Sequence, residues 1–292
     1  MLGMLVFGSM NTIVLKYQDN THALGQLFTH PYLQTAIMFL GEFVCMGLFV
    51  GKTLYNRSRE QKGESIPLSP GASKAVEKKM RTNINPLLLA IPATCDFCGS
   101  SLMFIALTQC AASVYQMMRG IIVVITAILA VVFLGRKQFR HHWTSLFMIV
   151  LGVVIVGWVA LAYGTADAKR MAEKTGEPVG DEATTTALGI ILLLISQLFA
   201  GCQFITEEKL LCNYYLDPML VVGTEGMWGL LYYLFLLPIF QKIQCSSSLC
   251  NFGYLEDSAF AFSQMGANGI LILESVGVII SIACFNMFGI AT

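Results

Sequence analysis

The sequence predicts an all-α polytopic membrane protein, and three observations carry that reading. Hydrophobic residues make up 55% of the 292 positions and charged residues only 12%, where a soluble domain carries about a quarter charged. Apolar stretches of about 20 residues, the length that crosses a bilayer as a helix, recur along the chain. No run alternates apolar and polar residues with the period of two that a membrane β-barrel needs. The formal net charge is zero and the basic residues are not pooled, so nucleic-acid binding has no support.

Segmenting by length predicts eight spans: Met1–Tyr17, Pro31–Tyr55, Pro86–Gln109, Ala111–Leu134, Trp143–Tyr163, Ala187–Cys212, Pro218–Phe240 and Gly269–Ala291. The first has neither a basic leader nor a small-residue cleavage site, and further spans follow it, so it reads as a span and not a signal peptide. The third and fourth are separated by almost nothing. The connection after the second holds Arg57, Arg59, Lys62, Lys74, Lys78, Lys79 and Arg81, and that after the fourth holds Arg136, Lys137 and Arg140. On the opposite side Lys169, Arg170 and Lys174 are offset by five acids between Asp167 and Glu182, and only Lys242 follows. The basic side is cytosolic by the positive-inside rule, and the N-terminus lies with it. Residues 56–83, rich in Ser, Gly, Pro and alternating charge, read as a flexible cytosolic loop. The last span ends at Phe288-Gly-Ile-Ala-Thr292 with no basic anchor after it, and we expect a C-terminal truncation.

Nine cysteines are spread along the chain. Cys45, Cys95, Cys98, Cys110, Cys202, Cys212 and Cys284 fall in apolar stretches and read as small packing residues. Cys245 and Cys250 share a non-cytosolic loop, where a disulfide and two free thiols are both open. Cys95-x-x-Cys98 lacks the further Cys or His that a metal site needs, so no metal or cofactor is expected.

Charges inside apolar stretches carry the functional information. An ionised side chain at a helix centre costs about 2.5–3.5 kcal/mol on insertion scales, so several together must face protein or water. Glu42, Asp96, Arg119 and Glu225 each lie roughly 12–16 Å from a span end at 1.5 Å per residue. Their common depth points to a polar central cavity in which Arg119 partners one carboxylate. Each remaining acid either carries a proton as the site alternates or hydrogen-bonds across helices. Gln116 and Arg119 are three apart and share a helix face, where they read an anionic or amide-bearing solute or clamp two helices. Glu207, Glu208, Lys209 and Glu274 read as interfacial anchors near span ends, and His30, His141 and His142 as headgroup-level residues.

The halves echo each other weakly. His30-Pro-Tyr before Gly41-Glu42 resembles Asp217-Pro-Met before Thr224-Glu225-Gly226, and Gly99–Thr108 resembles Ile280–Gly289, which adds Asn286 to the candidate cavity. Span n therefore pairs with span n+5, as in transporters built from repeats. That division gives a first five-helix repeat over 1–164, a linker loop over 165–186 and an incomplete second repeat over 187–292, with eight of ten helices present.

Several segments together, Gly8-Ser-Met-Asn-Thr12, Phe39-Leu-Gly-Glu-Phe43, Cys95-Asp96, Tyr115-Gln-Met-Met-Arg-Gly120, Phe133-Leu-Gly-Arg136, Glu207-Glu-Lys209, Gly223-Thr-Glu-Gly226 and Phe285-Asn-Met-Phe-Gly289, resemble the F subfamily of solute carrier family 35. That subfamily belongs to the drug/metabolite transporter superfamily, EamA-like, and within it the chain is most similar to the F-six type. The resemblance implies two five-helix inverted repeats around a central cavity, alternating access, and a lysosomal, mitochondrial or Golgi membrane. It implies no established substrate-binding residue. The expected function is transport of a polar organic solute, with the bilayer and a small molecule as partners. The competing reading is a membrane scaffold that binds a partner protein through the cytosolic loop. An enzyme is disfavoured because no nucleophile, phosphate or metal constellation stands outside the spans.

Overall fold

A computed structural model describes residues 2–62, 85–175, 182–214, 216–244 and 254–290 of the chain. With no water in the hydrocarbon layer, each apolar run must satisfy its own backbone, and it does so as a helix. The helices are α1 (Leu2–Asp19), α2 (Pro31–Gln61), α3 (Ala90–Gln109), α4 (Ala112–Leu134), α5 (Arg140–Thr175), α6 (Glu182–Asn213), α7 (Pro218–Phe240), α8 (Ser258–Ala267) and α9 (Gly269–Ile290). Seven of these, all but α1 and α8, are long and apolar enough to cross a membrane. The first of the eight expected spans is the 18-residue α1, whose last turn holds Lys16, Gln18 and Asp19 and is polar for that reason.

Local chemistry sets the ends. Pro31 and Pro218 stand at the first helical turn of α2 and α7, where a missing N–H costs nothing. Asp217 caps α7 by accepting from the Met219 N–H at 2.9 Å, and Asp257 caps α8 by accepting from Phe260 N–H at 3.0 Å. Gly135, at φ 65°, closes α4 in the left-handed conformation that glycine adopts freely.

Three expectations need correction. α2 continues through Gln61, so the expected loop is helical over 56–61, and its remainder at 63–84 lies outside the described residues, as do Cys245 and Cys250. The expected linker over 165–186 is helical to Thr175 and again from Glu182, because helix propensity carries both helices past their apolar stretches. α4 is not continuous: a 3₁₀ turn at Arg119–Ile121 separates α-helical Ala112–Met118 from Ile122–Leu134. A two-residue hairpin also forms, His22–Ala23 against Gln26–Leu27. Its turn residues Leu24 and Gly25 both have positive φ, 55° and 81°, the geometry that matches the twist of such hairpins.

Lipid tails are as apolar as leucine, so close packing and interhelical hydrogen bonds, not burial itself, hold these helices together. α1 packs on α9, α3 on α6, and α2 on α7. α2 also touches α9, as α7 touches α3. Exchanging α1 with α6, α2 with α7 and α3 with α9 returns the same set of contacts. The centre of the α2–α7 crossing holds Phe39 and Tyr233, with the Phe97 ring of α3 tilted at 57° to the Tyr233 ring, 5.0 Å away. The Tyr233 hydroxyl bonds Ser101 Oγ at 2.7 Å, while Ser101 Oγ also donates to the Phe97 carbonyl at 2.6 Å. Tyr233→Phe leaves the second bond in place, so we expect it to cost only about 1 kcal/mol in a thermal or denaturant unfolding assay, as interhelical bonds in membranes generally do.

The end of the bundle opposite the basic loops is closed by buried polar groups. Gln34 of α2 donates to Asp19 at 2.8 Å and to Gln18 at 3.3 Å on α1, and Gln18 donates to Ser275 of α9 at 3.0 Å. His30 Nδ1 lies 2.6 Å from the Glu256 carboxyl, and both side chains are 1% exposed. At the other end the ion pairs Lys52–Asp217 and Arg136–Glu208 are partly exposed.

Candidate functional site

Seven helices, α1–α4, α6, α7 and α9, surround a polar cavity of about 300 Å³. α2 contributes Glu42, placed one residue after Gly41, whose missing side chain lets the Ile279 carbonyl of α9 approach. α3 contributes Asp96, which is buried and accepts from Ser100 Oγ at 2.8 Å. α7 contributes Glu225, flanked by Gly223 and Gly226 at the α2 crossing and only 3% exposed. Glu225 accepts a long hydrogen bond, 3.4 Å, from Gln203 of α6. α4 contributes Arg119 at its 3₁₀ turn, with the guanidinium 5.7 Å from the Tyr115 ring centroid. Asn286 enters from α9, and Asn11 and Thr12 from α1.

Five of the six residues picked out from the sequence therefore meet in one cavity: Glu42, Asp96, Arg119, Glu225 and Asn286. Gln116 does not line it. Its amide donates to Thr12 Oγ1 instead. Arg119 also departs from expectation: among the described residues it makes no ion pair with a carboxylate and lies over Tyr115.

Glu207, expected as an interfacial anchor, belongs to the site. It lines the cavity and its carboxyl lies in hydrogen-bond reach of Glu225. Its neighbour Glu208 does behave as an anchor, pairing with Arg136. The signal was present in the sequence as a stripe: Ser196, Ala200, Gln203 and Glu207 recur at i, i+4, i+7 and i+11 on α6, one face of a helix.

The cavity holds more polar atoms than it satisfies internally. Asn11 Oδ1, Glu42 Oε2, Ser196 Oγ, Gln197 Nε2, Glu207 Oε1 and Glu225 Oε1 are buried with no hydrogen-bond partner among the described residues. Buried polar atoms are normally paired, so this cluster has the character of a binding site. A larger groove of about 650 Å³ runs along the outside of α2 and α7, past Leu40, Phe43, Leu231 and Leu234. Its walls are hydrocarbon and suit lipid contact; the chemistry lies in the smaller cavity.

Comparison with known proteins agrees with this architecture. The nucleotide-sugar transporter family matches residues 2–215. Solute carrier family 35 member F6 of Homo sapiens is 34% identical over 296 residues, covering 99% of this chain and 72% of that protein. The member F6 protein of Rattus norvegicus is 32% identical over 295 residues with the same coverage. A UDP-N-acetylglucosamine/UDP-N-acetylgalactosamine transporter of Caenorhabditis elegans is 27% identical over 131 residues, 45% of this chain and 36% of its own length. With a transporter family spanning most of the chain and a polar cavity enclosed by its apolar helices, this protein belongs to the nucleotide-sugar transporter family and is a multi-pass membrane transporter of the solute carrier 35 kind, not an enzyme.

Proposed function

We propose that the chain carries a polar organic solute through the Glu42–Asp96–Glu207–Glu225 cavity by alternating access, across an intracellular organelle membrane, lysosomal before mitochondrial or Golgi. The observation that carries this reading is the cavity's position between two sets of helices whose contacts exchange, α1–α3 on one side and α6, α7 and α9 on the other. We assign these sets to two repeats, 1–164 and 187–292. Rocking one against the other about the α2–α7 crossing exposes the cavity to either face in turn. The buried His30–Glu256 contact favours closure at one end, while partly exposed ion pairs stand at the other. Unpaired carboxyls in the cavity suit coupling to protons.

Proteoliposomes holding the purified chain test the reading, with uptake of radiolabelled solutes followed with and without an imposed proton gradient. Glu42→Gln and Arg119→Ala are expected to abolish uptake while eluting as the parent protein does on size exclusion. Parent-level uptake in both variants would sink the assignment of the cavity as the transport site.

A further inference from the structure

We propose that the cavity binds an organic cation, a small amine or guanidine, and not an anionic nucleotide sugar. The proposal names a cargo for the transport reading above and rests on it only for movement, since binding is read out separately. Four of the unpartnered cavity atoms, Asn11 Oδ1, Glu42 Oε2, Glu207 Oε1 and Glu225 Oε1, are amide or carboxyl oxygens. An amide or ionised carboxylate oxygen only accepts hydrogen bonds, so the missing partner is a donor; a proton shared between Glu207 and Glu225, which lie in reach of each other, serves only that pair and leaves Asn11 and Glu42 facing the cavity. Glu225 is 3% exposed and lines the cavity, so water outside the bundle does not serve it.

Charge leads to the same class. Four carboxyls and one guanidinium line the cavity. With every carboxyl ionised, three positive charges are needed for neutrality, and they arrive either as protons or as part of the cargo. A nucleoside diphosphate adds negative charge to that excess. Phosphate recognition uses forked arginines or helix N-termini, yet the one cavity arginine lies over Tyr115. The nearby Lys16 is no substitute, because its ammonium donates to the Leu107 carbonyl at 2.7 Å. Phe104, Tyr115, Phe204 and Phe285 supply aromatic walls that attract a cation through their ring faces. The volume of about 300 Å³ stands at the small end of ligand cavities, as a small amine requires. Cargo and protons neutralise the same carboxyls, so each displaces the other, which makes exchange of cation for proton the natural cycle.

The test uses the full chain in lipid nanodiscs at fixed ionic strength, with agmatine, putrescine and tyramine as cationic probes and UDP-N-acetylglucosamine as the anionic one. Saturable rises in the thermal midpoint are expected with a cationic probe and none with the nucleotide sugar at equal concentration. Glu42→Gln and Glu225→Gln should each weaken cation binding roughly ten- to a hundredfold, the worth of a charge-assisted hydrogen bond. Arg119→Gln, which removes the opposing charge, should tighten it, a direction that mere loss of structure does not produce. A midpoint shift with UDP-N-acetylglucosamine that is lost in Arg119→Gln overturns the proposal. So does the absence of any shift with all three cations at millimolar concentration, or undiminished binding in both carboxyl variants. Cation binding without vesicle uptake would overturn the transport reading alone, whereas uptake of the nucleotide sugar would overturn this one and leave transport standing.

Discussion

Gly226→Val is expected to abolish most folded protein, with a melting temperature far below that of the parent in the same detergent. A side chain built at Gly226 would place its first carbon 2.5 Å from the Phe43 nitrogen and 2.8 Å from both the Phe39 carbonyl oxygen and Glu42 Cβ. Two of those neighbours are backbone atoms of α2, which have no rotamer to change. Overpacking in a filled core typically costs about 1–3 kcal/mol and more where nothing yields, and here the two helices must move apart. Gly223 and Gly229 sit one turn to either side and contact Met46 and Phe39 just as closely, so the strain cannot be passed along the crossing. The gain in helix propensity on replacing a glycine is at most about 1 kcal/mol and does not offset it. Gly152→Ala in α5 is the matched control, since nothing among the described residues lies within 4 Å of the added carbon; it should melt at or slightly above the parent. If Gly226→Val melts with the parent, the α2–α7 crossing is not packed as described. Because Glu42 and Glu225 stand beside this same contact, fold and site share one interface here.

Much of this arrangement was legible in the sequence, for a physical reason. A charge in an apolar stretch is costly enough that Glu42, Asp96 and Glu225 had to face an interior, and three helices with such charges at one depth had to converge. Glu207 escapes that reasoning because depth along the chain marks it as a helix end, close before Asn213, while its periodicity with Gln203 and Ser196 places it inward. Gln116 shares a face with Arg119 by spacing, yet its amide is taken up by Thr12 of α1, a partner 104 residues away that spacing along one helix does not reveal. His30 and Glu256 were beyond reach, since a histidine before a span looks like any headgroup-level residue and its partner lies 226 residues away.

That last pair yields the second large effect. Glu256→Ala is expected to cost about 3–5 kcal/mol, the penalty for stranding one member of a buried pair, whereas Lys52→Ala, in a pair whose lysine is 58% exposed, should cost no more than about 1 kcal/mol. The geometry explains why the buried contact cannot rearrange. Gln264 Nε2 donates to the Ala23 carbonyl at 3.0 Å, which turns its Oε1 toward His30 Nε2, 3.1 Å away. Both ring nitrogens thus face oxygens, so Nε2 must carry a hydrogen and Nδ1 must share one with the Glu256 carboxyl. Removing Glu256 takes away the oxygen that Nδ1 faces at 2.6 Å, beside the Phe28 and Phe260 rings. The double variant His30→Leu with Glu256→Leu should recover most of the loss, because replacing both members of a buried pair by apolar groups is often close to neutral. Thermal unfolding measures both effects, and hydrogen exchange over 22–34 and 256–264 locates them. If this contact holds the cavity shut at that end, Glu256→Ala exchanges faster there while the α2–α7 crossing stays protected; uniform acceleration would mean a global loss of stability, and a parent-like melt would mean that the pair carries no weight.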